Sequence, residues 1–307
     1  MRVGILTFTS YNYGTFLQAF ALKEAIKNLG FNVDIINTTS IRDILRKLMS
    51  SYPFFSFKSM LIFSSYWKKI NLSNLNFKKF DIIIIGSDTV WDKRRPNIFF
   101  GNIQNNNISS YAASCGETLC KDLNKKQIEG LRNINNFSCR DKKTCNMIRE
   151  LFGKNCIKVL DPTFLIEWRK YEHPIYKDDF ILVYSYSGKN RELCIKAKEI
   201  SKITGKQTVS IMDYIPWCNK NISKVNPFQF LSYIKKADYV ITDTFHGTAF
   251  SINYRKKFIS FPKYNKIKDL LNTFNLDKNK IVQYKGKIDI TKSKNYLKHI
   301  LEETNEN

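Results

Sequence analysis

The chain has 307 residues, with 50 Lys and Arg against 27 Asp and Glu and a formal net charge of +23. That length fits two ordinary domains, each able to bury its own core, which excludes a small scaffold held by staples. The charge favours an anionic partner, but the lysines are spread along the whole chain beside abundant Asn and Ile, so much of the excess reads as compositional bias.

Val3 to Phe8 is apolar and reads as a buried strand. This opening on a strand is not a signal peptide, and no apolar run approaches the ~20 residues that span a bilayer, so a cytoplasmic location is expected. Thr9 to Gly14 reads as a polar, aromatic loop, and Thr15 begins a helix, predicted by the apolar spacing from Phe16 to Leu29 and stopped by Gly30. Phe31 to Ile36 completes a βαβ unit, hence parallel pairing. The loop Ser10 to Gly14 then lies at a strand's C-terminal end, where open α/β sheets bind ligands. Its two tyrosines and Asn12 are expected to face solvent. Ile41 to Lys69 mixes Lys and Arg with Phe, Leu and Trp around Pro53. It reads first as a helical excursion packing its aromatics on the domain, and second as a contact with a membrane surface.

Asp81 to Ile85 predicts a buried strand, and Gly86-Ser87-Asp88-Thr89-Val90-Trp91-Asp92 follows at its C-terminal end. Ser87 and Asp88 offer hydrogen bonds to a hydroxylated ligand or, equally, a helix cap. Ser109 to Gly116 reads as a strand, Asn124 to Arg132 as a helix, Phe137 to Asp141 as a strand and Lys142 to Phe152 as a helix. Arg140 therefore sits at a strand-to-helix corner, as a site residue or as half of an ion pair. Trp168 to Asp179 contains Pro174 and marks the domain boundary. The second half restarts the alternation: strands Phe180 to Tyr184 and Gln207 to Met212, a helix capped by Asn226-Pro227, and a strand at Tyr239 to Thr242. Asp243-Thr244-Phe245-His246-Gly247-Thr248 then turns into a helix start, whose free N–H groups and positive dipole end suit an anion. His246 is one of three histidines. Asp243 reads as a proton acceptor or as the helix cap. Lys263 and Lys266 follow the strand Phe258 to Phe261 as phosphate candidates.

The seven cysteines contain no C-x-x-C pair and no neighbouring histidine, so neither a disulfide framework nor a metal site is expected. No nucleic-acid motif or basic–aromatic stripe is visible, and nucleic acid is not an expected partner.

Six segments, in order, resemble the polysaccharide pyruvyl transferase family. They are Gly4 to Phe8 with Asn12-Tyr13-Gly14; Gly86 to Trp91; Ser110 to Ser114; Ser138-Cys139-Arg140-Asp141; Val159-Leu160-Asp161-Pro162-Thr163; and Ala237 to Gly247. Thr89, Asp92 and Thr244 stand where that family usually has Gln, Asn and Ser, and Thr244 keeps the hydroxyl. The resemblance implies two Rossmann-like domains facing across a cleft, the GT-B arrangement, here divided as residues 1–168 on the acceptor side and 169–307 on the donor side. It implies transfer of pyruvate from phosphoenolpyruvate onto two hydroxyls of a saccharide, lipid-linked or free, as a ketal, with no cofactor beyond the donor. Its chemistry assigns His246 to protonating the enol carbon with a near-neutral pKa, Arg140 to clamping the donor, and Asp88 or Asp243 to accepting the acceptor's proton. Rival expectations are a sugar-nucleotide glycosyltransferase of the same architecture and a non-enzymatic anion binder.

Overall fold

The computed structural model describes residues 1–38, 53–70, 72–175, 179–186, 188–211 and 213–306. Residues 41–52 of the basic–aromatic excursion, and Met212 at the expected end of a strand, lie outside these.

Two parallel sheets carry the fold. The first comprises β1 (Arg2–Leu6), β2 (Asn32–Ile36), β3 (Leu72–Ser73), β4 (Ile82–Ile85) and β5 (Ile108–Ser110), in the order β3-β2-β1-β4-β5. A parallel pair, β6 (Phe137–Cys139) and β7 (Cys156–Lys158), extends it through the bridges Ser109–Asn136 and Ala113–Cys139. The second comprises β8 (Phe180–Tyr184), β9 (Gln207–Ile211), β10 (Lys220–Ile222), β11 (Tyr239–Thr242), β12 (Lys257–Ser260) and β13 (Val282–Gln283), in the order β10-β9-β8-β11-β12-β13. Only β13 runs antiparallel to its neighbour among these strands. Ile82 to Ile85 are all buried, as expected of an unbroken β-branched run covered on both faces. Strand order reverses between β1 and β4 and between β8 and β11. Those are the switch points where a parallel sheet opens a crevice at its C-terminal edge.

The helices are α1 (Tyr13–Asn28), α2 (Pro53–Lys69), α3 (Lys125–Arg132), α4 (Lys142–Phe152), α5 (Arg191–Thr204), α6 (Pro227–Lys236), α7 (Phe245–Asn253), α8 (Asn265–Thr273) and α9 (Thr291–Glu306). Helix α1 is buried nearly all round its first half because both sheets' elements cover it. It starts at Tyr13, two residues earlier than its apolar spacing predicts, because Asn12 caps it by accepting from the Thr15 N–H at 2.8 Å. This corrects the solvent-facing reading of Tyr11 and Tyr13. Both are buried. Tyr13 stacks on Phe230 at 4.7 Å between centroids and donates its hydroxyl to the Val225 carbonyl. In α2, Phe63 and Trp67 are buried, and Trp67 donates to the Ser10 carbonyl. That helix is the packed excursion, anchored on the loop that precedes α1. Helix α9 returns to the first sheet, where Tyr296 donates to the Ser110 carbonyl and Ser293 accepts from the Leu160 N–H. One hydrophobic cluster accordingly runs through residues of both halves.

Candidate functional site

Three strand ends converge on one cavity of about 580 Å³. The loop after β1 supplies Thr9 to Asn12, the turn after β4 supplies Asp88 and Thr89, and the turn after β11 supplies Asp243 to His246. Arg95, Tyr264 and Lys266 complete the wall. The turn after β4 needs Gly86: its φ is +121°, and a Cβ there would lie 2.3 Å from the Tyr111 carbonyl oxygen. Asp88 also holds a positive φ, +79°, and its carboxylate accepts from Thr15 Oγ1 of α1 at 3.2 Å.

Beneath the cavity lies a set of buried charges. Arg140 donates to Asp161 Oδ2 at 2.7 Å, reaches Asp88 Oδ1 at 3.5 Å, and stacks over the Phe245 ring at 4.0 Å. Its side chain is 2% exposed. The expectation that Arg140 clamps a ligand across the open cleft is therefore corrected. Two carboxylates and an aromatic face occupy the guanidinium, which supports the floor, while its buried Nε has no partner among the described residues. Burial opposes ionisation of Asp88, but Lys266, Arg140 and His246 outweigh it and hold the carboxyl well below the usual range. Asp161 is held low in the same way by Arg140 and His246 against its own burial. In the sequence Asp161 stands within the family-like segment Val159 to Thr163, with no role assigned to it. Its role emerges from partners supplied by three other segments: Arg140, Ser87 and His246.

His246 lies in the first turn of α7, whose cap is Thr244 accepting from the Gly247 N–H at 2.9 Å. Gly14 lets α1 pass directly against the imidazole; a Cβ there would lie 2.0 Å from Nδ1. His246 Nε2 is buried without a hydrogen-bond partner among the described residues, 3.8 Å from Asp161 Oδ2. Burial lowers its pKa to about 4, although Asp161 and Asp88 pull the other way. This corrects the near-neutral value expected for the free protein: the ring is neutral at pH 7.

The remaining candidates divide. Asn12, Asp243, Thr244 and Lys266 line the cavity. Lys266 donates to Thr89 Oγ1 at 2.9 Å. Asp243 is not the cap. It accepts from Ser185 Oγ at 3.0 Å, and burial raises its pKa. Tyr13 and Gly14 are packing residues behind the wall. Ser87 is buried and donates to Asp161 Oδ2 at 3.2 Å. Gly247 fits because a Cβ would meet Thr242 Oγ1 at 2.2 Å, and Thr248 is buried against Ser260. Lys263 faces an adjoining cavity of about 630 Å³, which it shares with Lys189, Arg191, Lys268 and Lys278 and which touches the first cavity at Asp243. Away from the site, Cys139, Cys145 and Cys156 bring their sulfurs within 4.8 Å of one another. Their sequence spacing gave no sign of this convergence.

A family model described as polysaccharide pyruvyl transferase matches residues 12–262. No curated protein matches the chain. Among solved structures, UDP-GlcNAc 2-epimerase from Methanocaldococcus jannaschii is similar with a TM-score of 0.56 and 14% identity, covering 99% of this chain and 100% of the other. UDP-GlcNAc 2-epimerase from Neisseria meningitidis has a TM-score of 0.54 and 9% identity, covering 99% and 100%. An alpha-glucosyltransferase solved with UDP and DNA has a TM-score of 0.51 and 10% identity, covering 100% and 90%. These neighbours establish the GT-B fold. No helix among the described residues is long and apolar enough to cross a membrane.

Proposed function

The chain belongs to the polysaccharide pyruvyl transferase family, and from that premise we propose that it transfers pyruvate from phosphoenolpyruvate to two hydroxyls of a saccharide, releasing phosphate. One observation carries the reading: the unpartnered, buried His246 Nε2 sits at the N-terminus of α7, on the wall of a cavity that also holds Lys266 and Asp243. The first turn of α7 leaves the N–H groups of Phe245 and His246 without intrahelical acceptors, and Lys266 adds a cation beside them. Donor phosphate and carboxylate occupy this end, on the side of residues 169–307. The acceptor lies toward Asn12 and Thr89, on the side of residues 1–168.

In the proposed reaction an acceptor hydroxyl adds to C2 of the donor while His246 delivers a proton to the methylene carbon, which becomes a methyl group. The second hydroxyl then displaces phosphate and closes the ketal. His246 is neutral in the free protein, and the donor's negative charge, arriving beside it, raises its pKa so that it can be loaded with a proton. Asp243 takes the hydroxyl proton. Its raised pKa makes it the stronger base, whereas Asp88 is ionised so firmly that it has little affinity for a proton. Asp88, Asp161 and Arg140 are positioning residues for His246.

Phosphate release from phosphoenolpyruvate, measured against a panel of glycan acceptors, lipid-linked ones included, tests this reading. Acceptor-dependent release supports it. Turnover of a nucleotide sugar without release of phosphate from phosphoenolpyruvate would reassign the cleft to glycosyl transfer.

A further inference from the structure

The geometry points to a site for one thiophilic d¹⁰ metal ion, Zn²⁺ or Cu⁺, held by Cys139, Cys145 and Cys156. The three come from different elements. Cys139 ends β6, Cys145 lies in the first half of α4, and Cys156 begins β7. Their sulfurs form a continuous set: Cys145 to Cys156 is 2.8 Å, Cys156 to Cys139 is 3.0 Å, and none of the three separations exceeds 4.8 Å. A Zn–S bond of ~2.3 Å puts the sulfurs of one tetrahedral ion roughly 3.8 Å apart, wider than the two short separations and inside the 4.8 Å that bounds all three. Two non-bonded carbon atoms attract best at ~3.5–4.0 Å, and sulfur is the larger atom. Three neutral thiols therefore gain little by crowding this closely, whereas one cation among three thiolates uses their convergence and sets them slightly further apart. Soft thiolate donors select Zn²⁺ or Cu⁺ over the hard, oxygen-seeking divalent ions.

Access and consequence both fit. Cys139 and Cys145 are buried, but Cys156 is only partly so, which leaves a route from solvent and a side open for a fourth ligand. An ion here ties α4 to β6 and β7, a parallel pair of three residues each. Cys139 directly precedes Arg140, so the ion also fixes the strand end that presents Arg140 to Asp161 and Asp88. No metal chemistry at the cleft is implied; the role is to hold the corner.

The test uses the full chain, reduced, stripped with a chelator and kept free of oxygen. Co²⁺ is the spectroscopic probe, with Zn²⁺ in competition and Cu⁺ titrated separately. One equivalent of Co²⁺ should bind with sulfur-to-cobalt charge-transfer absorption and be displaced by Zn²⁺. If only Cu⁺ binds at one equivalent, the site stands and its ion is Cu⁺. Cys145→Ser and Cys156→Ser should each weaken binding at least tenfold and lose the charge-transfer band, while Cys218→Ser, in the second half, should behave as wild type. Should a serine variant not fold, thiol alkylation mapped by mass spectrometry on the wild-type chain replaces it: bound metal should protect Cys139, Cys145 and Cys156 and leave Cys194 reactive. Three titratable thiols with no metal uptake would overturn the proposal. So would a Cys145–Cys156 disulfide in chain isolated without oxygen.

Discussion

Replacing His246 by Asn removes the proposed proton donor while keeping a polar side chain against Gly14. In the free protein burial holds the imidazole at about 4. Keeping it protonated at pH 7 costs on the order of 4 kcal/mol, because each pKa unit is ~1.4 kcal/mol. A unit negative charge about 4 Å away contributes ~4 kcal/mol at an effective dielectric near 20. One donor phosphate placed beside His246 is thus enough to bring its pKa close to neutral. Two pH profiles separate the states. The profile of kcat/KM for the donor reports the free enzyme and should fall as pH rises above about 4, once the donor's own titration is measured and divided out. The profile of kcat reports the complex and should fall only at a markedly higher pH. His246→Asn should lower kcat by ~10²- to 10⁴-fold and lose that descending limb. In D₂O the wild type should place one deuterium in the product methyl group, read by mass spectrometry. A kcat/KM that instead rises through pH 4 to a plateau at neutral pH would make neutral His246 a base and refute proton delivery. Product without deuterium would refute the ketal reaction itself. Stability carries the same signature. Because the folded-state pKa is depressed, the unfolded chain binds more protons between pH 6.5 and about 4, so His246 stabilises the fold above 6.5 and loses that contribution as pH falls through this window. The loss is on the order of 3 kcal/mol at its limit. Thermal melts of His246→Asn should show a smaller acid sensitivity there.

Arg140→Lys should lower kcat/KM at least tenfold, about 1.4 kcal/mol, and also lower Tm, because a single ammonium cannot serve Asp161 and Asp88 while stacking on Phe245; wild-type kinetics with a wild-type melt would remove it from the site's support. Gly14→Ala should destabilise the fold by ~1–3 kcal/mol and reduce activity, since the new methyl meets the His246 ring, and an unchanged melt would show that α1 can shift aside. Asp243→Asn should cut kcat with little change in donor affinity, whereas an equal loss in Asp88→Asn with Asp243→Asn near wild type would reverse their assigned roles. Charge reversal at Lys68 and Lys69, both exposed at the end of α2, should reduce flotation with anionic liposomes if this helix meets a membrane carrying the acceptor; undiminished flotation would locate the contact elsewhere.

The longer strands were readable because each is an apolar run between polar breaks, and runs such as Ile82 to Ile85 admit few other structures; the short, partly polar β3 and β10 were not. The cap at Asn226-Pro227 was readable for the same local reason. The start of α1 was not: Asn12 as cap and Tyr13 as first helical residue depend on a wall of aromatics, Phe230 among them, more than 200 residues away. Local polarity around Tyr11 and Tyr13 pointed to solvent, and tertiary packing overrode it. His246, Asp88 and Arg140 were identifiable as candidates at strand ends. Their mutual roles were not, because the sequence shows a charge without its burial. Burial makes His246 neutral, and two carboxylates turn Arg140 from a surface clamp into a foundation. Asp161 shows the limit most clearly, since nothing beside it in the chain marks it as the shared acceptor of Arg140 and Ser87. The three converging cysteines were hidden by spacings of six and eleven positions, which form no C-x-x-C pair.

The charges beneath the cleft have a further meaning when taken together. Asp88 and Asp161 are ionised, Arg140 and Lys266 oppose them, and His246 is neutral, so these four charges offset one another before any ligand arrives. A balanced floor tolerates burial, because no charge is left uncompensated in a low-dielectric setting. It also sets when the acid is armed. In the proposed reaction an anionic donor adds negative charge here, and the group best placed to offset it is His246, whose Nε2 has no hydrogen-bond partner among the described residues. Proton uptake then accompanies donor binding. The proton that His246 acquires this way is the one the enol carbon requires, so the acid is loaded only when the molecule that consumes its proton is present. In the proposed reaction that coupling rests on burial and pairing, and it would give Arg140 and Asp161 a role although neither lines the cavity.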